Sequence, residues 1–185
     1  MTDHYAVLGF PRRPFIDPIA LKSAYLAQAA RLHPDTAQGD DASFTELQEA
    51  HRILGQPALR IRHLIELTHP GLEVGNALPA HSALLFDLGS ALQRVKAAVE
   101  QRSKATTALG RAVAAGTISA ARQALTAAQA PLAKVEAEID AQLTALDARW
   151  PDVTVDELNA LARELAFLAR WKGEVAEWEF RLANG

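Results

Sequence analysis

Bulky aliphatic residues recur at seven-residue steps through the second half of this 185-residue chain. Ile118, Leu125, Leu132, Ile139 and Leu146 form one such ladder, with Ala121, Ala128 and Val135 between its rungs. Leu161, Leu168, Val175 and Leu182 form a second, joined by Leu158 and Leu165. An odd step puts successive rungs on opposite faces of a strand, whereas a helix returns to within about 20° of the same face after seven residues. Each ladder is therefore a helix with one apolar seam, and a seam has to be buried against another. Leu84, Leu88, Ala91, Leu92, Val95 and Val99 share one face of a further helix. Three stripes predict a three-helix bundle with coiled-coil-like packing. Gly116-Thr117 and Trp150-Pro151-Asp152 read as its turns, and Pro131 is expected to kink or split the second helix. Alanine-rich faces such as 105–115 let helices approach closely but bury little per residue, which predicts a less stable end.

Composition agrees with an all-α fold. Apolar residues make up 49% of the chain and aromatics only 6%, with alanine and leucine dominant and few β-branched runs. Twenty-two acidic and nineteen basic side chains leave a net charge of −3, so no global field recruits nucleic acid. The absence of cysteine excludes disulfides, thiolate metal sites and a thiol nucleophile in this chain. No apolar run reaches membrane-spanning length, and Met1-Thr2-Asp3-His4 has no basic start or apolar core of a signal peptide. A soluble, cytoplasmic protein is expected.

The first 67 residues follow a different plan, with short elements separated by strong stop signals. Tyr5 to Leu8 reads as one helical turn, and Gly9 suits a left-handed C-cap. Asp17 then caps a helix whose first position is Pro18. Leu21, Ala24, Tyr25, Gln28 and Leu32 face inward, while Lys22 and Arg31 remain on the outer surface. Pro34 forces this helix to end at or before His33 and leaves His33-Pro34-Asp35 on a loop. Asp41 or Ser43 is expected to cap the next helix, from about Ala42 to Leu54, whose core face is Phe44, Leu47, Ala50, Ile53 and Leu54. His51 reads as a packed side chain. Gly55 ends the helix, and Pro57 begins another that runs to Leu67. Residues 68–80 concentrate turn formers and mark a linker, with Leu72, Val74 and Leu78 expected to anchor it.

A short helix, a long helix, an HPD loop and a helix carrying Glu49-Ala50-His51-Arg52-Ile53-Leu54 in an E-A-x-x-x-L pattern together resemble a J-domain. The resemblance implies that His33, Pro34 and Asp35 contact a DnaK-type chaperone and stimulate its ATPase. It also implies that cations on the long helix, here Lys22 and Arg31, steer that contact. Gln56-Pro57-Ala58-Leu59-Arg60-Ile61-Arg62-His63-Leu64-Ile65 is similar to the D-P-L-x-R-A-x-Y-L-L pattern of the HscB type, the J co-chaperones of iron–sulfur cluster assembly. Arg163-Glu164-Leu165-Ala166-Phe167-Leu168 is similar to the R-K-L-x-F-L segment of the same type, and Leu85-Phe86 matches the apolar pair of its F-L-M-E-Q run. In that type these segments hold the cluster scaffold protein.

The implied organisation is a J-domain over residues 1–67, a linker over 68–80, and a client-binding three-helix bundle over 81–185. Its expected partners are a DnaK/HscA-type chaperone ATPase and the iron–sulfur scaffold, bound through Leu85, Phe86, Phe167 and Trp171. At 100° per residue Phe167, Trp171, Glu174 and Trp178 cluster within roughly 60°, either as a wider core face or as an exposed docking patch. No phosphate-binding glycine loop, paired-histidine helix face or nucleophile elbow is present. His33 and Asp35 have no nucleophile beside them to serve as base and orienter. No cofactor or metal is expected, and the chain reads as an adaptor rather than an enzyme. An unrelated client, or an inert helical interaction or oligomerisation module, is the competing reading.

Overall fold

The structure, a computed structural model, describes residues 2–33, 40–72 and 77–184. Seven α-helices occur among them, α1 (His4–Leu8), α2 (Pro18–Leu32), α3 (Asp41–Gly55), α4 (Pro57–Thr68), α5 (Leu84–Lys104), α6 (Ala108–Ala148) and α7 (Val155–Asn184). A single 3-10 turn, Ala80–Ala83, precedes α5. The described residues form no strand, as the composition predicted, and no helix among them is long and apolar enough to cross a membrane. The chain divides into two compact units. One holds residues 1–77 with 140–165, and the other holds 78–139 with 166–185. The N-terminal segment thus shares a unit with the end of α6 and the start of α7.

Local signals set the elements of the first unit. Asp3 caps α1 by accepting from the Tyr5 and Ala6 amides at 3.1 and 3.3 Å, and Gly9 closes it at φ 74°. The Arg12 guanidinium bonds Asp3 at 2.8 Å, and this with the cap bonds holds the Asp3 carboxyl below its ordinary value against the opposing pull of burial. Asp17 caps α2 through the Ile19 amide at 3.1 Å. The cap of α3 is Asp40, not Asp41 or Ser43. Asp40 has extended backbone and accepts from the Ser43 amide at 2.8 Å, while Asp41 already lies inside the first turn, where its negative charge is attracted to the positive helix end.

Helices α1 and α2 both pack on α3, which in turn packs on α4. Tyr5, Leu8, Leu21, Leu47, Ala50, Leu54, Ile61, Leu64 and Ile65 form the core between them. Arg60 is buried with them, donating from Nε to Pro14 O at 2.8 Å and from Nη1 to Leu54 O at 2.6 Å. The Tyr5 hydroxyl donates to Arg13 O at 3.0 Å. Burial raises the Tyr5 phenol well above its ordinary value and lowers the Arg60 guanidinium. Arg13 then grips Asp147 near the end of α6 with Nε at 3.2 Å and Nη2 at 2.7 Å, and the Phe15 amide donates to Asp147 Oδ1 at 3.1 Å. At the other side of the α6–α7 turn, Thr154 and Glu157 form a reciprocal capping box. Arg149 and those cap bonds lower the Glu157 carboxyl to about 2.

In the second unit the predicted seams are buried: Leu88, Ala91, Leu92 and Val95 on α5, Ile118 to Ile139 on α6, and Leu168, Val175 and Leu182 on α7. Arg102 on α5 donates to the Arg181 and Leu182 carbonyls at 2.9 and 3.2 Å, supplying partners for carbonyls of the last turn of α7 that have no donor within the helix. Two expectations about α6 are corrected. Gly116-Thr117 is not a turn, because α6 continues through it and the break lies at 105–107 instead. A helical glycine is less favourable than alanine by only about 1 kcal/mol, which the buried neighbours Ala114 and Ile118 offset. Pro131 does not split α6 either, since Ala128, Leu132 and Val135 stay buried on both sides of it. The turn predicted at Trp150-Pro151-Asp152 does separate α6 from α7. Leu72 and Leu78 are exposed rather than packed as anchors, the backbone turning at Gly71 with φ 83°; Val74 lies outside the described residues.

Candidate functional site

His33 is the C-cap of α2, with its amide donating to Ala29 O at 3.0 Å and its own backbone already extended at φ −57° and ψ 133°. That conformation is what a following proline demands. The exposed imidazole meets the Phe44 ring of α3 edge-on, with centroids 5.3 Å apart and planes at 68°. The α2–α3 hairpin therefore places the His33 ring through a contact from the opposite helix. Phe44 was legible in the sequence as a core residue, but its touch on His33 was not, because no spacing rule links a C-cap to the first turn of the next helix. Pro34 and Asp35 lie outside the described residues.

Lys22 and Arg31 are both exposed, as expected. They do not form one patch: nine residues apart on α2, they project about 180° from each other. The outermost strip of the helix consists of Ile19, Ser23, Leu26 and Ala30, with Lys22 on one flank and Arg31 on the other. Ile19 and Leu26 are exposed. An open cavity of about 370 Å³ lies beside this strip, between α2 and α3, lined by Ile16, Leu21, Tyr25, Leu26 and His51 with Lys22 at its side. Tyr25 and His51 stack across it with centroids 4.2 Å apart, which bears out the packed role of His51. No acidic residue occurs in α2.

In the second unit the residues expected to hold a client separate into two groups. Phe86 on α5 is 83% exposed. Phe167 and Trp171 on α7 are only 7% and 9% exposed, with ring centroids 6.4 Å apart. For these two the wider-core reading holds and the exposed-patch reading does not. They lie roughly 100° from the leucine seam, and the buried face of α7 is wide enough to include both directions. Glu174 and Trp178, further along the same stripe, are half-buried. Trp178 is flanked by cations, Lys96 Nζ at 5.4 Å and the Arg181 guanidinium at 4.5 Å from its ring centre. The side chain of Leu85 lies outside the description. No group of three or more metal-ligating side chains occurs among the described residues.

Residues 3–63 match the family model of the DnaJ domain. The chain is 38% identical over 72 residues to the co-chaperone protein HscB homolog of Bordetella pertussis, a match covering 35% of this chain and 42% of that one. It is 43% identical over 63 residues to the mitochondrial J-type co-chaperone jac1 of Schizosaccharomyces pombe, covering 31% and 28% of the two chains. These matches span less than half the length of the relatives. The fold extends further: chaperone HscB from Vibrio cholerae superimposes with a TM-score of 0.59 at 21% identity, covering 98% of this chain and 99% of the other.

Proposed function

We propose that this chain, which carries a DnaJ domain at its N-terminus and has the fold of HscB, is a J-type co-chaperone that stimulates a DnaK/HscA-type ATPase and delivers a client to it. The observation that carries the reading is His33, exposed at the end of α2 and set by Phe44 within a matched DnaJ domain. His33, Pro34 and Asp35 make the activating contact. Lys22 and Arg31 act from separate flanks of α2, so they orient the partner rather than form a cationic surface. The chain performs no chemistry of its own. It raises the effective concentration of client at an ATPase that has just been triggered.

The client is the iron–sulfur cluster scaffold, and cytoplasm is the working compartment. Two features support that choice: the fold shared with HscB and the exposed Phe86 in the segment that resembles the scaffold-binding run. Phe86 touches the client, together with Leu85. Phe167 and Trp171, being buried, shape α7 rather than make the contact.

The test is single-turnover ATP hydrolysis by the organism's DnaK- and HscA-type chaperones. Wild-type protein is expected to accelerate hydrolysis and His33→Gln to abolish the acceleration. No acceleration by wild type with any of those chaperones overturns the co-chaperone reading. Adding purified scaffold should raise the rate further, and Phe86→Ala should remove only that increment. An increment that survives Phe86→Ala overturns the client assignment alone.

A further inference from the structure

The N-terminus of α1 is completed by two side chains from different parts of the chain. Asp3 accepts from the Tyr5 and Ala6 amides, and the His4 amide donates to Nε2 of His63 on α4 at 3.1 Å. His63 is 5% exposed, its ring lies 4.6 Å from that of His4, and it stacks on Tyr5 at 5.9 Å. Accepting at Nε2 fixes the neutral tautomer with its proton on Nδ1. That nitrogen faces Glu66 Oε2 at 3.9 Å, beyond hydrogen-bond reach. A second proton on His63 turns Nε2 into a donor pointing at another donor, inside a packed core. The imidazole is the side chain whose ordinary titration falls near neutrality.

We propose that His63 is a pH-sensitive pin for α1: neutral, it closes the first turn of the helix, and protonated, it releases that turn from α4. Every charged group facing it bears on the balance. His4 on α1 opposes a second positive charge beside it, whereas Asp3 at the α1 cap and Glu66 on α4 favour one. From α3, the Glu49 carboxylate is paired with Arg52 and is weakly attracted by positive charge on His4. Burial dominates and lowers the proton affinity of His63 below its ordinary value. The sign follows from linkage. The unfolded chain binds the proton more readily, so this stabilisation is complete above the unfolded value of about 6.5 and is lost as pH falls below it toward the depressed folded value. The consequence extends past the helix end. Tyr5 follows His4 directly, and its hydroxyl holds the Arg13 carbonyl, so release of the first turn loosens the α1–α2 connection.

Amide exchange and histidine titration of the full chain by NMR test the pin. The His4 amide is expected to lose protection between pH 7 and 5 while amides in the middle of α3 keep theirs. In His63→Gln, whose side-chain oxygen accepts a hydrogen bond but does not titrate, that loss should disappear. His4→Ala removes the neighbouring ring, and the His63 titration midpoint should then move upward. Protection of the His4 amide that falls equally in wild type and His63→Gln overturns the proposal. Should His63→Gln fail to fold, a His63 midpoint in wild type at or above that of an exposed histidine overturns it equally. Neither readout depends on a chaperone partner.

Discussion

The two units are built on opposite principles. The first holds α1 to α4, none longer than 15 residues, with the end of α6 and the start of α7, and a few specific polar contacts hold the pieces in place. Arg60 ties the loop at Pro14 to the end of α3, Tyr5 ties α1 to Arg13, and Asp147 ties the same loop to the end of α6. The second is made of long helices with repeated seams of Leu, Val, Ile and Ala, and its side-chain pairs include exposed ones such as Lys172–Glu136 and Gln129–Glu179. Short helices cannot stand alone, because nucleation is unfavourable and few turns repay it. Specific tertiary contacts replace length. A hydrogen-bonding role is tied to one atom in one direction, whereas a heptad seam spreads the same stabilisation over many interchangeable side chains.

The contrast can be broken from either side. Arg60→Met keeps the aliphatic stem but leaves two buried carbonyls without donors, and its expected cost is about 4 kcal/mol of stability. Urea unfolding followed by circular dichroism measures it; a cost below that of a single seam leucine would refute the concentrated design of the first unit. Leu125→Ala, in the middle of the α6 seam, comes next at about 3 kcal/mol, limited by how far alanine-lined neighbours close on the cavity. Asp147→Ala removes the acceptor for Arg13 and the Phe15 amide, and is expected to cost about 1–2 kcal/mol because Arg13 is half exposed. Raised exchange of the Phe15 amide should accompany it. At the bottom, Lys172→Ala breaks an exposed pair and should change stability by about 0.5 kcal/mol or less. A larger loss there would mean that the second unit also depends on specific polar contacts.

Legibility differed between the units for the same reason. The stop signals Gly9, Asp17-Pro18, Gly55 and Pro57 mark local backbone events, so the helices of the first unit were readable to within a residue or two. The seams of α5, α6 and α7 were readable because periodicity on a helix is also local. The continuity of α6 through Gly116 and Pro131 was not, because a residue's intrinsic preference is weaker than the burial of its neighbours. His33 and the flanking cations were named from sequence, but Phe44 beside His33 and the separation of Lys22 from Arg31 required the packed hairpin and the helix register. Exposure of the aromatic stripe on α7 had two readings in sequence, and only packing chose between them for Phe167 and Trp171.

The sequence by itself determined the helices, their inward faces and the exposed histidine ahead of a proline, since each depends on interactions within a few residues. The tertiary structure alone decided the partnerships across long separations. His4 meets His63 from 59 positions away, and Arg13 meets Asp147 from 134. No periodicity connects such pairs, and a hydrogen bond acts only over about 3 Å, so the match exists only once the chain has brought both groups to the same place.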